Sequence, residues 1–176
     1  MMILGIDPGP VTCGVVLYSS TTKHVSETHK AMPVSEVLTR LADPEDRWRY
    51  YVGMGGAVAI ERVQSTGQSG ASLLHTSEVV GKIWHQAESR NLRVVLLYRR
   101  EVCSWLHVHG AGKNSKVRVA MIEMHGGTKE AAVGRKKTPG PLYGVATHAW
   151  QALGLAYVAA QMIEQGHGWA SKEAAC

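Results

Sequence analysis

The sequence predicts an α/β domain on a mixed five-stranded sheet, antiparallel over its first three strands and parallel afterwards, with helices flanking it. Three observations carry this. Two apolar runs, Met2–Ile6 and Gly14–Tyr18, are joined across the tight Asp7-Pro8-Gly9 turn, as in an antiparallel hairpin. Two later runs, Gly55–Ile60 and Val94–Tyr98, are short and continuously apolar, as in buried strands. Segments with helical spacing lie between and after them.

Taken in order, the opening hairpin is followed by a third strand at His24–Lys30. Val34–Leu41 and Asp46–Tyr51 carry helical spacing interrupted near Pro44. The strand ending at Ile60 leads into Glu61 and a Ser/Gly/Gln-rich loop, Gln64–Gly70. Leu74, Val79, Ile83 and Ala87 recur at helical intervals within Leu73–Glu88. After Val94–Tyr98, short helices are expected at Arg100–His107 and Ser115–Met124, around a polar turn at Gly110–Asn114. Gly126–Gly140, rich in Gly, Lys and Arg, reads as a mobile loop. A final helix is expected from about Tyr143 to about Ile163, with a frayed tail after Gly166.

The chain has 176 residues, which at roughly 100–200 residues per domain gives one domain spanning 1–176. Hydrophobic residues make up 45% and charged residues 19%, so a packed core is expected rather than disorder. No apolar run is long enough to span a membrane, and the N-terminus lacks the basic start of a signal peptide. Three widely spaced cysteines without a CxxC pair support neither a disulfide framework nor a zinc site, and fit a reducing cytoplasm. Net charge is +5, and it is concentrated: ten basic but only three acidic side chains lie between Arg93 and Lys137. A basic segment on a near-neutral body is the footprint of a polyanionic partner, although a solvated basic surface has the same composition.

Asp7 ends the first strand and Glu61 ends a later one. In open α/β sheets, ligands bind at the carboxyl ends of strands, where these acids can meet. Arg62 is the obvious local cation, and its side chain should point to the opposite face. Two close carboxylates need a cation or a retained proton, and a hard divalent ion is the usual solution. Singly, Asp-Pro-Gly is good turn chemistry and Glu61 an ordinary strand-end acid. On the last helix His148 and Gln151 share a face at i and i+3, which also suits a partly buried polar pair without function.

Three segments carry a resemblance: Ile3-Leu4-Gly5-Ile6-Asp7-Pro8-Gly9 with Thr12-Cys13-Gly14-Val15-Val16, then Ala59-Ile60-Glu61-Arg62-Val63, then Thr147-His148-Ala149-Trp150-Gln151-Ala152-Leu153-Gly154-Leu155-Ala156. In order and spacing they resemble RuvC-type Holliday-junction resolvases of the RNase H-like superfamily, with the small-phage branch a reasonable sub-assignment. The resemblance implies an RNase H-like fold and a homodimer acting on four-way DNA junctions in a bacterial or phage-infected cell. It implies hydrolysis with two Mg²⁺ ions about 4 Å apart, Mn²⁺ substituting, and 5′-phosphate and 3′-hydroxyl products. The metal-site positions fall on Asp7, Glu61, His148 and Gln151. The family has Asp where Gln151 stands. Either this is an inactivating replacement, favoured by the intact remainder of the motif, or the natural protein tolerates Gln.

The same resemblance makes the Leu73–Glu88 helix a dimer helix, with Leu74 and Val79–Val80 as contacts unless they face the core. Gln64 occupies the place of an aromatic wedge found in some relatives, so Gln64 and Gln68 are candidates to touch the junction crossover. Arg100, Lys113, Lys116 and Arg118 are candidates to hold phosphates near the cut, and Arg135, Lys136 and Lys137 to grip a DNA arm. Other readings are a non-catalytic DNA-binding module of the same fold and a different RNase H-like nuclease acting on RNA or branched DNA. An actin-like ATPase needs a second domain, and Gly110–Asn114 lacks the phosphate-loop spacing. His107 and His109 form an H-x-H without a further nearby Cys or acid ligand and are read as surface residues.

Overall fold

The computed structural model describes residues 1–64, 70–108 and 113–167, without the side chains of Lys113 and Asn114. Gln68, His109, the turn at 110–112 and the tail from 168 lie outside the described residues. The elements are β1 (Met2–Pro8), β2 (Thr12–Ser19), β3 (His24–Pro33), α1 (Val34–Ala42), α2 (Arg47–Gly53), β4 (Ala57–Arg62), α3 (Ala71–Glu88), β5 (Val94–Tyr98), α4 (Arg99–Trp105), α5 (Lys113–Met124), α6 (Lys129–Ala132), β6 (Gly134–Arg135), β7 (Thr138–Pro139) and α7 (Ala149–Glu164). Five strands form one sheet in the order β3-β2-β1-β4-β5. β1 pairs antiparallel with β2 and β2 with β3, while β1–β4 and β4–β5 are parallel. This is the mixed sheet that the hairpin turn and the later apolar runs predict.

Successive side chains of a strand face opposite sides, and here both sides are covered. Ile3, Val16, Tyr18, Ala57, Ala59, Val95 and Leu97 pack in a core with α7 and residues of α4 and α5. Leu4, Ile6, Val15, Leu17, Val58 and Ile60 pack in a second core with Val37, Trp48, Val79, Val80 and Ile83 of α1, α2 and α3. Val79 and Val80 therefore belong to the chain's own core, whereas Leu74 is 62% exposed. Helix α7 is buried on nearly every side, Gln151 included, while His148 at its cap is exposed. It lies close on β1, because Gly5 has no side chain: a Cβ there would stand 2.0 Å from the Ala152 carbonyl oxygen.

Two expectations need correction. The segment Gly126–Gly140 is not an irregular loop. Thr128 caps α6 by accepting from the Ala131 amide, and glycines at positive φ, Gly126, Gly127 and Gly134, supply the turns that lead into the β6–β7 hairpin. Arg135, Lys136 and Lys137 lie at or beside its turn, all exposed. The last helix begins at Ala149 rather than near Tyr143. Gly144 (φ 87°) and Thr147 (φ 44°) take left-handed backbone that a right-handed helix cannot contain.

Candidate active site

Strand register places the acids. Ile6 of β1 is level with Ile60 of β4, so Asp7 and Glu61, one residue further along each, are neighbours at the carboxyl edge of the sheet. Both follow the alternation Ile3-Gly5-Asp7 and Ala57-Ala59-Glu61 onto the face covered by α7. On the other side Asp7 pairs with Gly14. The bare Cα of Gly14 makes room for the start of α7, where His148 is the cap residue. His148 Nδ1 lies 3.5 Å from Asp7 Oδ2, with most of the imidazole exposed.

Asp7 is buried, and burial, then the charge of Glu61, raise its carboxyl to about 7. The neighbouring Glu61 carboxyl thus favours the protonated form of Asp7, as a like charge beside a buried acid does. Arg99 opposes this rise. Its Nε lies 2.8 Å from Glu61 Oε1, its Nη2 3.2 Å from Oε2, and the same Nη2 3.8 Å from Asp7 Oδ1. Arg62 is the obvious cation in the local sequence, but the cation the fold brings to the acids is Arg99. Arg99 follows β5 immediately, and the parallel β4–β5 register delivers it beside Glu61. Sequence reasoning missed Arg99 because the pairing spans 38 residues. The available signal was a third strand ending at the same sheet edge.

Arg62 does turn to the opposite face. Its guanidinium lies 4.8 Å from the centre of the Tyr98 ring, and that of Arg100 lies 5.1 Å from the same centre. One cleft is lined by Asp7, Glu61, Arg62, Gln64, Thr76, Arg99 and Arg100. A second is lined by Asp7, the Pro8–Thr12 turn, Thr76, Arg99 and His148. Gln64 and Arg100 thus reach the site. Thr76, from α3, borders both clefts and was not anticipated. Arg118 lies over Trp150, 5.5 Å from its ring centre, two residues from His148. Lys116 is half-buried on α5, and Lys113 begins that helix. Arg135, Lys136 and Lys137 line neither cleft.

Gln151 lies in the first turn of α7, buried, and its amide nitrogen finds no hydrogen-bond partner among the described residues. Among those residues no three His, Cys, Asp or Glu form a ready-made metal-binding group. The donor chemistry nevertheless suits a divalent ion: two touching carboxylates, an adjacent imidazole and a guanidinium already supplying positive charge.

Sheet order, strand directions and the helix layers define an RNase H-like α/β fold. Among solved structures the chain is similar to that of Thermus thermophilus RuvC, with a TM-score of 0.64 and 19% identity over 94% of this chain and 97% of that one. It is equally similar to T. thermophilus RuvC in complex with Holliday junction substrate, with a TM-score of 0.64, 17% identity and the same coverage. No protein-family model and no curated protein matches the sequence.

Proposed function

We propose that this chain is a structure-selective endonuclease that cuts four-way DNA junctions by metal-dependent phosphodiester hydrolysis at Asp7 and Glu61. The observation that carries the reading is Asp7 itself. It touches both Glu61 and His148 at the carboxyl edge of the central strand, in a fold shared with a RuvC solved on its junction substrate. A bound divalent ion, Mg²⁺ or Mn²⁺, supplies activation of the attacking water and neutralisation of charge on the phosphate, and the resemblance implies two ions per site. Asp7 and Glu61 are the residues to hold it, with His148 and the Gln151 amide oxygen beside them.

His148, exposed at the rim, is placed to carry a proton to or from a DNA oxygen. Arg62 and Arg100, splayed on Tyr98, are placed to hold phosphates beside the cut, with Gln64 near them at the mouth of the cleft. Lys113, Lys116, Arg118 and the Arg135–Lys137 hairpin extend the basic surface. Symmetrical cutting needs two copies, and the exposed Leu74 face of α3, where Gly81 adds no bulk, is the proposed dimer face. No described helix is long and apolar enough to cross a membrane.

The experiment is cleavage of end-labelled four-way junctions, flaps and RNA–DNA hybrids in Mg²⁺, in Mn²⁺ and in chelator, beside Asp7→Asn. Junction-selective cutting abolished by chelator and by Asp7→Asn is the expected result; metal-independent cutting, or cutting retained by Asp7→Asn, overturns it. A second reading, a junction-binding module without cleavage, is favoured by neutral Gln151 at a position where the family has Asp. Tight junction binding with no product in either metal supports it.

A further inference from the structure

Asp7 and Glu61 already have a counter-ion. Arg99 meets Glu61 with two nitrogens on two oxygens, at 2.8 and 3.2 Å, and reaches Asp7 with the second of these nitrogens at 3.8 Å. The Nη2 hydrogen bond and the close approach of Nε together engage both Glu61 oxygens in one ion pair. The guanidinium thus stands where positive charge is needed between the acids. Arg99 also borders both clefts flanking Asp7, and its side chain is 40% exposed. A long side chain bordering a cleft on either side has space into which to swing.

We propose that the Arg99 guanidinium occupies a cation position of the Asp7–Glu61 pair, so that a divalent ion binds only by displacing it. Arg99 thereby sets the metal concentration above which the site loads. This rests on the reading of Asp7 and Glu61 as metal ligands. A purely structural salt bridge predicts something different: lower stability on removing Arg99, with metal affinity unchanged or weaker.

The test is Mn²⁺ binding to the full chain without DNA, by calorimetry and by electron paramagnetic resonance of the free ion, for the wild type, Arg99→Gln and Arg99→Lys. Removing a unit charge a few ångströms from a divalent ion should tighten binding about tenfold or more in Arg99→Gln. Arg99→Lys, which keeps the charge without the fork, should fall between. In the wild type, Mg²⁺ should also shift the Arg99 side-chain ¹⁵N–H resonance. Unchanged or weaker Mn²⁺ binding in both variants, with circular dichroism showing them folded, overturns the proposal while leaving the metal site standing. Absence of Mn²⁺ binding in all three chains overturns the metal site itself, and the proposal with it.

Discussion

Gly14 and His148 touch so closely that a Cβ on the glycine would lie 2.6 Å from the His148 carbonyl carbon and 2.8 Å from its Cβ. Gly14 is also the strand partner of Asp7, so one missing side chain sets the distance between β1 and the start of α7. Gly14→Ala must push the helix start outward, because backbone rather than a flexible side-chain end is in the way. The expected cost is about 1–3 kcal/mol of stability, as for other overpacked sites. Junction cleavage should fall further than the melting temperature suggests, since His148 moves away from Asp7. Thermal melting and cleavage of the same preparation check both.

Asp7 makes metal-free stability depend on pH. Its carboxyl sits near 7 when folded, against an ordinary value of 3.8, with burial the leading cause. An acid with a raised folded pKa holds its proton in the folded state where the unfolded chain has lost it. Its effect is therefore absent below about pH 4 and grows more unfavourable as pH rises toward 7, then levels off. Asp7→Asn should remove this loss and stabilise the chelator-treated protein at pH 8 by about 1–2 kcal/mol. Chemical denaturation at pH 5, 6, 7 and 8 measures it; a wild type whose stability does not fall relative to Asp7→Asn across that range contradicts it.

Glu27 has the opposite sign. It accepts from Arg40, from His29 at 2.6 Å and from Trp48 Nε1 at 3.2 Å. Burial works to raise its carboxyl, but these hydrogen bonds outweigh it and bring it to about 2, from 4.5. Its contribution is complete above about pH 4.5 and is lost as pH falls toward 2. Glu27→Gln leaves Arg40 short of a partner and should cost about 2–3 kcal/mol at pH 7, with a smaller difference from wild type at pH 3. Urea titrations at the two pH values decide it.

Gln151 is a buried amide whose nitrogen lacks a partner among the described residues. Gln151→Asp brings a third carboxylate to the start of α7. Without metal it should lower the melting temperature; with millimolar Mg²⁺ the loss should be recovered, because ion and acid neutralise each other. Junction cleavage should rise by about tenfold or more, as one added charge-assisted ligand allows. A variant that stays destabilised in Mg²⁺ and gains no rate shows that residue 151 does not serve the ion.

Arg62 and Arg100 flank one ring, Tyr98, at the mouth of the cleft beside Glu61. As phosphate contacts, each replacement by Ala should weaken junction binding and reduce the slope of log affinity against log salt by about 1. The Lys136→Ala change, on the separate β6–β7 hairpin, should act additively with them. Binding titrations at several salt concentrations, in chelator, give the slopes.

Period-two and helical spacing determined the strands, their mixed directions and the positions of Asp7 and Glu61 toward strand ends. These are signals carried between near neighbours in the chain, which local sterics and burial impose wherever the segment lies. The spacing of His148 and Gln151 was legible for the same reason. The hairpin turn itself falls at residues 9–11, later than the expected Asp-Pro-Gly, with Asp7 and Pro8 still paired in β1. Tertiary structure alone decided that Arg99, 38 residues from Glu61, neutralises the acids, because parallel register between β4 and β5 brings them together. It also decided that α7 is buried all round and begins only after Thr147, and that 126–140 folds into a capped turn of helix and a hairpin. Those outcomes depend on which surfaces meet and on backbone angles that single residues accept under packing, and neither is encoded in the spacing of residues along one segment.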